Sequence, residues 1–174
     1  MTTPITHGFD CILPDEPPQI LILGSLPSVA SVGQRQYYAH PHNAFWHIME
    51  ALFAERLSLD YEQRIELLKK HRIALWDVIA SAQREGSLDS AIKPNSVVPN
   101  DIMALLKAFP SIRSIYLNGG GATALFKRHI AKQLPRAFQI ITLPSTSPAN
   151  ARMRFEEKLS RWSVLRDDFE GKIH

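Results

Sequence analysis

Apolar residues recur along this chain in two rhythms. Four short runs, residues 20–23, 73–76, 112–117 and 138–143, are rich in Ile, Leu and aromatics and lack strict polar alternation. Such runs predict strands covered on both faces. Between them the period lengthens. Residues 43–57 place Phe45, Ile48, Met49, Leu52 and Phe53 on one stripe, and residues 61–71 form a shorter amphipathic segment. Asn100 stands where it can cap a helix carrying Ile102, Leu105 and Leu106, and residues 121–133 predict another. Residues 150–169 set Phe155, Leu159, Trp162 and Leu165 at helical spacing. Strands separated by helices predict an α/β fold, a three-layer sandwich around a four-stranded, mostly parallel central sheet. With no internal repeat or low-complexity linker, the expectation is one domain over residues 1–174, with a core at about 20–165.

Sheets of this kind bind ligands beyond the carboxyl ends of their strands. The segments leaving those ends are Gly24-Ser25-Leu26-Pro27-Ser28, Asp77, Asn118-Gly119-Gly120-Gly121, and residues 144–150 (PSTSPAN). All are polar, Gly-rich or Pro-rich where the apolar runs stop. Composition narrows the partners only slightly. A net charge of +3 is compatible with nucleic acid and does not require it. The single cysteine, Cys11, excludes a disulfide within the chain and a four-cysteine metal or iron–sulfur site. His40, His42 and His47 have no Cys, Asp or Glu nearby to complete a metal site, so none is expected. There is no GxGxxG or Walker pattern, hence no nucleotide cofactor, and no GxSxG elbow of a serine hydrolase. Neither a signal peptide nor a membrane span is visible. The expectation is a cytoplasmic monomer without cofactor or obligatory protein partner.

Read by chemistry alone, the candidate residues keep two roles each. Tyr38 is either a stacking platform or core cover. Asn43 precedes an amphipathic helix and serves as its N-cap, or offers an amide to a ligand. Asp77 either caps a following helix or presents an acceptor, and Asn118 reads a ligand edge or supports the glycine turn. Ser145, Thr146 and Ser147 lie between two prolines and suit phosphate contacts, as do Asn150 and Arg152, although the same composition is ordinary for a loop.

Two longer motifs separate these alternatives. GSLPS at residues 24–28, followed by YYAHPHNAFW at 37–46, resembles motif 1 of the uracil-DNA glycosylase superfamily. The mismatch-specific branch has a similar HPxNxFW stretch, and the hypoxanthine-DNA (deoxyinosine) glycosylase branch, family 6, pairs it with a G-S-x-P turn. LPSTSPANA at 143–151 is similar to motif 2 of the latter branch, and residues 73–92 and 115–119 also look like its members. The resemblance implies a monofunctional glycosylase that flips a deaminated base out of DNA and hydrolyses its N-glycosidic bond. Hypoxanthine is the first substrate it suggests. Uracil in mismatches is the alternative, and a silent damaged-DNA binder the third reading, because Leu26 stands where much of the superfamily carries a water-orienting carboxylate or amide. By the same resemblance the catalytic residue is Asn43, holding water by hydrogen bond. Tyr38 stacks on the base, with Ser25 and Leu26 of the turn beside it. Asp77 accepts the N1–H of hypoxanthine, Asn118 is a further edge contact, and Ser145, Thr146, Ser147, Asn150 and Arg152 meet DNA.

Overall fold

The computed structural model describes residues 2–171. In chain order its strands and helices are β1 (Ile5–His7), β2 (Ile20–Gly24), α1 (Val29–Gln34), α2 (Phe45–Phe53), α3 (Tyr61–Lys70), β3 (Ile73–Asp77), β4 (Ile79–Gln83), β5 (Val98–Pro99), α4 (Ile102–Ala108), β6 (Ser114–Asn118), α5 (Gly119–His129), β7 (Gln139–Leu143), α6 (Phe155–Trp162) and α7 (Val164–Phe169). The expected four strands pair in the order β3-β2-β6-β7, all parallel.

Alternation along β2 divides the core. Ile20 and Ile22 face a layer built on α2, α3, α6 and α7, where Phe45, Ile48, Met49, Leu68, Trp162 and Leu165 are buried. Leu21 and Leu23 face the other layer, with Ile102 and Leu106 of α4 and Phe126 of α5. Both faces of β2, β3 and β6 are therefore covered, which is why they read as unbroken apolar runs, whereas the edge strand β7 leaves Ile140 and Thr142 exposed. Asp168 anchors α7 from beneath. Its buried carboxylate accepts from the Tyr116 hydroxyl at 2.6 Å and pairs with Arg113 at 3.0 Å.

Several boundaries and one whole layer depart from expectation. The helix expected over 43–57 ends at Phe53, where Ala54 turns extended, and the next begins at Tyr61 with a capping box of Asp60 and Gln63. The cap of α4 is Asp101, which accepts the Ala104 N–H. Asn100 instead donates its side-chain amide to the Asp77 carbonyl at 2.8 Å. The helix expected over 150–169 starts only at Phe155 and breaks at Ser163, because residues 145–150 hydrogen-bond among themselves in a loop. As a result Phe155 is exposed although it keeps the helical spacing. Asp77 caps no helix: β4 follows after one residue. β4 pairs antiparallel with β1 and β5 in a small second sheet. Its sequence IASAQ is too poor in large apolar residues to announce a strand, and β1 and β5 are only three and two residues long. Among the described residues, no helix is long and apolar enough to cross a membrane.

Candidate active site

The parallel register brings the strand ends into one row. Gly24 lies opposite Asp77, and Asn118 opposite Leu143. Above that row is a cavity of about 220 Å3. It is smaller than the ~300–1,000 Å3 of drug-sized pockets, and suits a group the size of one base. Tyr38, Ser25, Leu26, Asn43, Asp77, Asn118, Ser145, Thr146 and Ser147 all line it. Asn150 and Arg152 do not. Asn150 braces the loop by donating to the Ser145 carbonyl at 3.0 Å, and Arg152 is exposed outside the cavity.

Tyr38 is held in an unusual backbone conformation, φ 54°. Such a conformation costs roughly 1–3 kcal/mol and persists only where the surroundings over-determine it. Here they do. The Trp46 indole N–H donates to the Tyr37 carbonyl at 2.7 Å, the Tyr37 hydroxyl to the Asp10 carbonyl, and the Tyr37 N–H to the Tyr61 oxygen. The Tyr38 ring stacks on Phe45 with centroids 4.1 Å apart. Phe45 and Trp46 themselves are core, as their spacing predicts.

Gly24 explains why the motif starts with glycine. A Cβ there would lie 2.5 Å from Asp77 Oδ1 and 2.7 Å from the Tyr38 hydroxyl, so both side chains use the space that any other residue would fill.

Asn43 is not the N-cap its position suggests. α2 is capped at Ala44, and the Asn43 Oδ1 accepts the Phe45 N–H at 2.9 Å, bracing the turn into the helix, while the residue lines the cavity. The following residue locks two loops together: the Ala44 N–H donates to the Thr146 carbonyl at 2.9 Å. Asn118 and Thr146 are paired twice, amide to hydroxyl and N–H to amide oxygen, each at 3.0 Å. The Trp162 indole donates to the Pro144 carbonyl at 2.8 Å. The loop after β7 is thus fixed from three sides, a rigid setting for its hydroxyls.

Leu26 turns inward. It is 7% exposed and packs with Ile79, Ala82 and Ile92 under the cavity wall, so an apolar side chain at this place belongs to the small second core. What closes that side is a strap over residues 84–92, whose members the sequence had not marked as site residues. Ser87, Leu88, Asp89 and Ser90 of the strap line the cavity. The Ser25 hydroxyl donates to Asp89 at 2.6 Å, and the Val29 N–H to the Ser87 hydroxyl at 2.9 Å. Arg84 is almost fully buried at the strap's foot and donates to the carbonyls of Gly86 and Pro27. Only the register of the β4 strand brings this segment to the site, and nothing in its local composition signals that.

Asp77 is the cavity carboxyl that the fold perturbs most. Burial, reinforced by the Asp89 carboxylate and opposed by Arg84, pushes its carboxyl up to about 7. Near neutral pH both forms are therefore populated, and Asp77 is no longer an acceptor alone. Burial also raises the Tyr38 phenol above its ordinary value, with Asp77 pushing the same way. For Asp77 the folded-state pKa exceeds the unfolded one. Its favourable contribution to stability is present below pH 4 and is lost as pH rises through about 7. Asp77→Asn should melt with the parent near pH 4 but roughly 2–6 °C higher at pH 8, as thermal denaturation at the two pH values would report. An equal offset at both would contradict the assignment.

Among the described residues, no group of three or more His, Cys, Asp or Glu is placed to hold a metal; His40 Nδ1 instead accepts the His42 N–H at 3.1 Å.

Comparison with known proteins agrees with this geometry. The family model of the uracil DNA glycosylase superfamily matches residues 12–166. A protein of Methanosarcina acetivorans named hypoxanthine DNA glycosylase is 38% identical over 164 residues, covering 92% of this chain and 98% of that protein. One of Methanosarcina barkeri with the same name is 40% identical over 114 residues, covering 65% and 70% respectively. The solution NMR structure of a candidate uracil DNA glycosylase from M. acetivorans superposes with a TM-score of 0.79 at 36% identity, covering 96% of this chain and 99% of that one.

Proposed function

The chain belongs to the uracil DNA glycosylase superfamily and is a DNA glycosylase of base-excision repair, and from that premise we propose that the base it removes is hypoxanthine. The observation that carries the proposal is the cavity itself, where an aromatic, an amide and a buried carboxyl converge at the strand ends. The flipped base enters between Tyr38 and the strand ends. Stacking on an aromatic ring is worth about 1–3 kcal/mol per base. Asp77 meets the base edge, and Asn118, whose amide is already committed to Thr146, chiefly shapes the wall.

Asn43 is the catalytic residue. With its Oδ1 fixed by the Phe45 N–H, the amide has one orientation and holds the attacking water against C1′ as the oxocarbenium-like centre forms. Ser145, Thr146 and Ser147, with the exposed Arg152 beyond them, contact the DNA backbone on either side of the flipped nucleotide. Among the described residues no lysine lines the cavity, which favours direct hydrolysis over a Schiff-base route. The enzyme works as a soluble cytoplasmic monomer.

The preferred base is tested with a panel of duplexes carrying inosine, uracil or xanthine opposite each normal base, under single-turnover conditions. Inosine should be processed at least ~10-fold faster than uracil. Uracil processed faster than inosine in every pairing would replace hypoxanthine as the substrate and leave the glycosylase activity in place.

A further inference from the structure

Resting on the reading of the cavity as a base pocket, we infer that Asp77 meets the base as an uncharged carboxylic acid and donates a hydrogen bond to it as it departs. The geometry begins with two polar atoms that have no partner. Asp77 Oδ2 and the Tyr38 hydroxyl are both buried and make no hydrogen bond, and both side chains crowd the same Gly24 at the cavity floor. Buried polar groups are normally satisfied, so a pair left open inside a cavity marks a place where something binds.

The surroundings decide which protonation state waits there. Asp89 faces Asp77 from the strap, Arg84 from the end of β4, and Tyr37 and Tyr38 from the loop before α2. Arg84 is the one cation among them. Its guanidinium is turned to the Gly86 and Pro27 carbonyls and forms no ion pair with Asp77. Burial and the Asp89 charge favour the protonated form and together raise the carboxyl to about 7 against the opposing Arg84. A base entering the cavity expels water and brings lone pairs but no cation, which favours the proton further.

The chemistry needs that proton in place. When the bond from C1′ to the base breaks, its electron pair moves into the ring. An ionised Asp77 would repel the growing charge, whereas a neutral acid strengthens its hydrogen bond as charge develops and acts selectively on the transition state. Hypoxanthine, uracil and xanthine each present a ring N–H beside a carbonyl, and an acid can accept the first while donating to the second. Adenine's reversed pattern can also pair with an acid, so exclusion of adenine does not rest on Asp77.

Single-turnover rates on whichever base the enzyme removes, followed from about pH 5.5 to 9, test the polarity directly. The parent rate should fall as pH rises through about 7. Asp77→Ala should lose roughly 30–100-fold on the acid side. Asp77→Asn, whose amide keeps a donor at every pH, should recover most of that loss and flatten the profile. A parent rate that climbs through pH 7, with the Asn variant as slow as Ala, would overturn the inference in favour of an anionic acceptor. The carboxyl resonance of Asp77, followed by 13C NMR in the free protein and identified by its absence in Asp77→Asn, reads the same group without substrate. Titration near pH 7 supports the inference and titration in the ordinary aspartate range overturns it. A failure confined to the hypoxanthine assignment would show as turnover of another base with the titration unchanged.

Discussion

Asn43→Ala should abolish most base excision while leaving a folded protein, with single-turnover rates on inosine DNA falling about 10²–10³-fold. Two losses are combined in that variant and have to be separated. The Asn43 oxygen also accepts the Phe45 N–H in the turn leading into α2, and losing such a hydrogen bond costs about 1 kcal/mol, or roughly 2–4 °C in a chain of this size. That cost leaves the protein folded. Asn43→Ser supplies a hydroxyl that can still accept the Phe45 N–H but lacks the amide that reaches water. It should recover the melting temperature and remain catalytically poor. If serine restores the rate along with the stability, Asn43 braces the turn into α2 and does nothing more.

The second large effect is expected at Gly119, a residue behind the cavity wall formed by Asn118 and Ser145. Its φ is +93°, and a Cβ there would sit 2.7 Å from the Ser145 Cβ and 3.2 Å from its Cα. Backbone strain and collision with the fixed loop after β7 act together, so Gly119→Ala should cost about 2–3 kcal/mol and lower the melting temperature by roughly 5–10 °C. The loop is tied to Asn118 through Thr146 and to Ala44 through the Thr146 carbonyl, so a shift there reaches Asn43 as well. DNA affinity and turnover should each fall more than tenfold on that ground. Gly120→Ala is the control: a Cβ there meets nothing within 4 Å, and stability should be unchanged or slightly higher. Equal melting temperatures for the two variants would refute the packing argument.

These residues also show what the sequence could reveal. β2, β3 and β6 were legible because both their faces are buried, and β7 because it keeps an apolar run although one face is exposed; the runs end at Gly24, Asp77, Asn118 and Leu143. Chemistry at strand ends follows from that topology, and the cavity indeed lies there. The two meanings of Asn43 could not be separated in sequence; in the fold the helix is capped one residue later, at Ala44, and Asn43 braces the turn before it while lining the cavity. The strap was not legible. Ser87, Leu88 and Asp89 have no periodicity, and they follow the short β4, which leaves the parallel sheet to pair with β1 and β5. Leu26 looked like a gap in the catalytic machinery, whereas it is a buttress packed on Ile79 and Ile92. The polarity of Asp77 was hidden for a related reason: it depends on burial and on Asp89, which arrives on that same strap.

Analysis of the products from inosine-containing duplex, with enzyme in excess, bears most directly on the reaction itself. Free hypoxanthine should appear in solution in step with an abasic strand that stays intact until treated with alkali, and Asn43→Ala should release almost none. Unreacted inosine DNA, or a cut strand with no free base released, would contradict hydrolytic excision of hypoxanthine by this cavity.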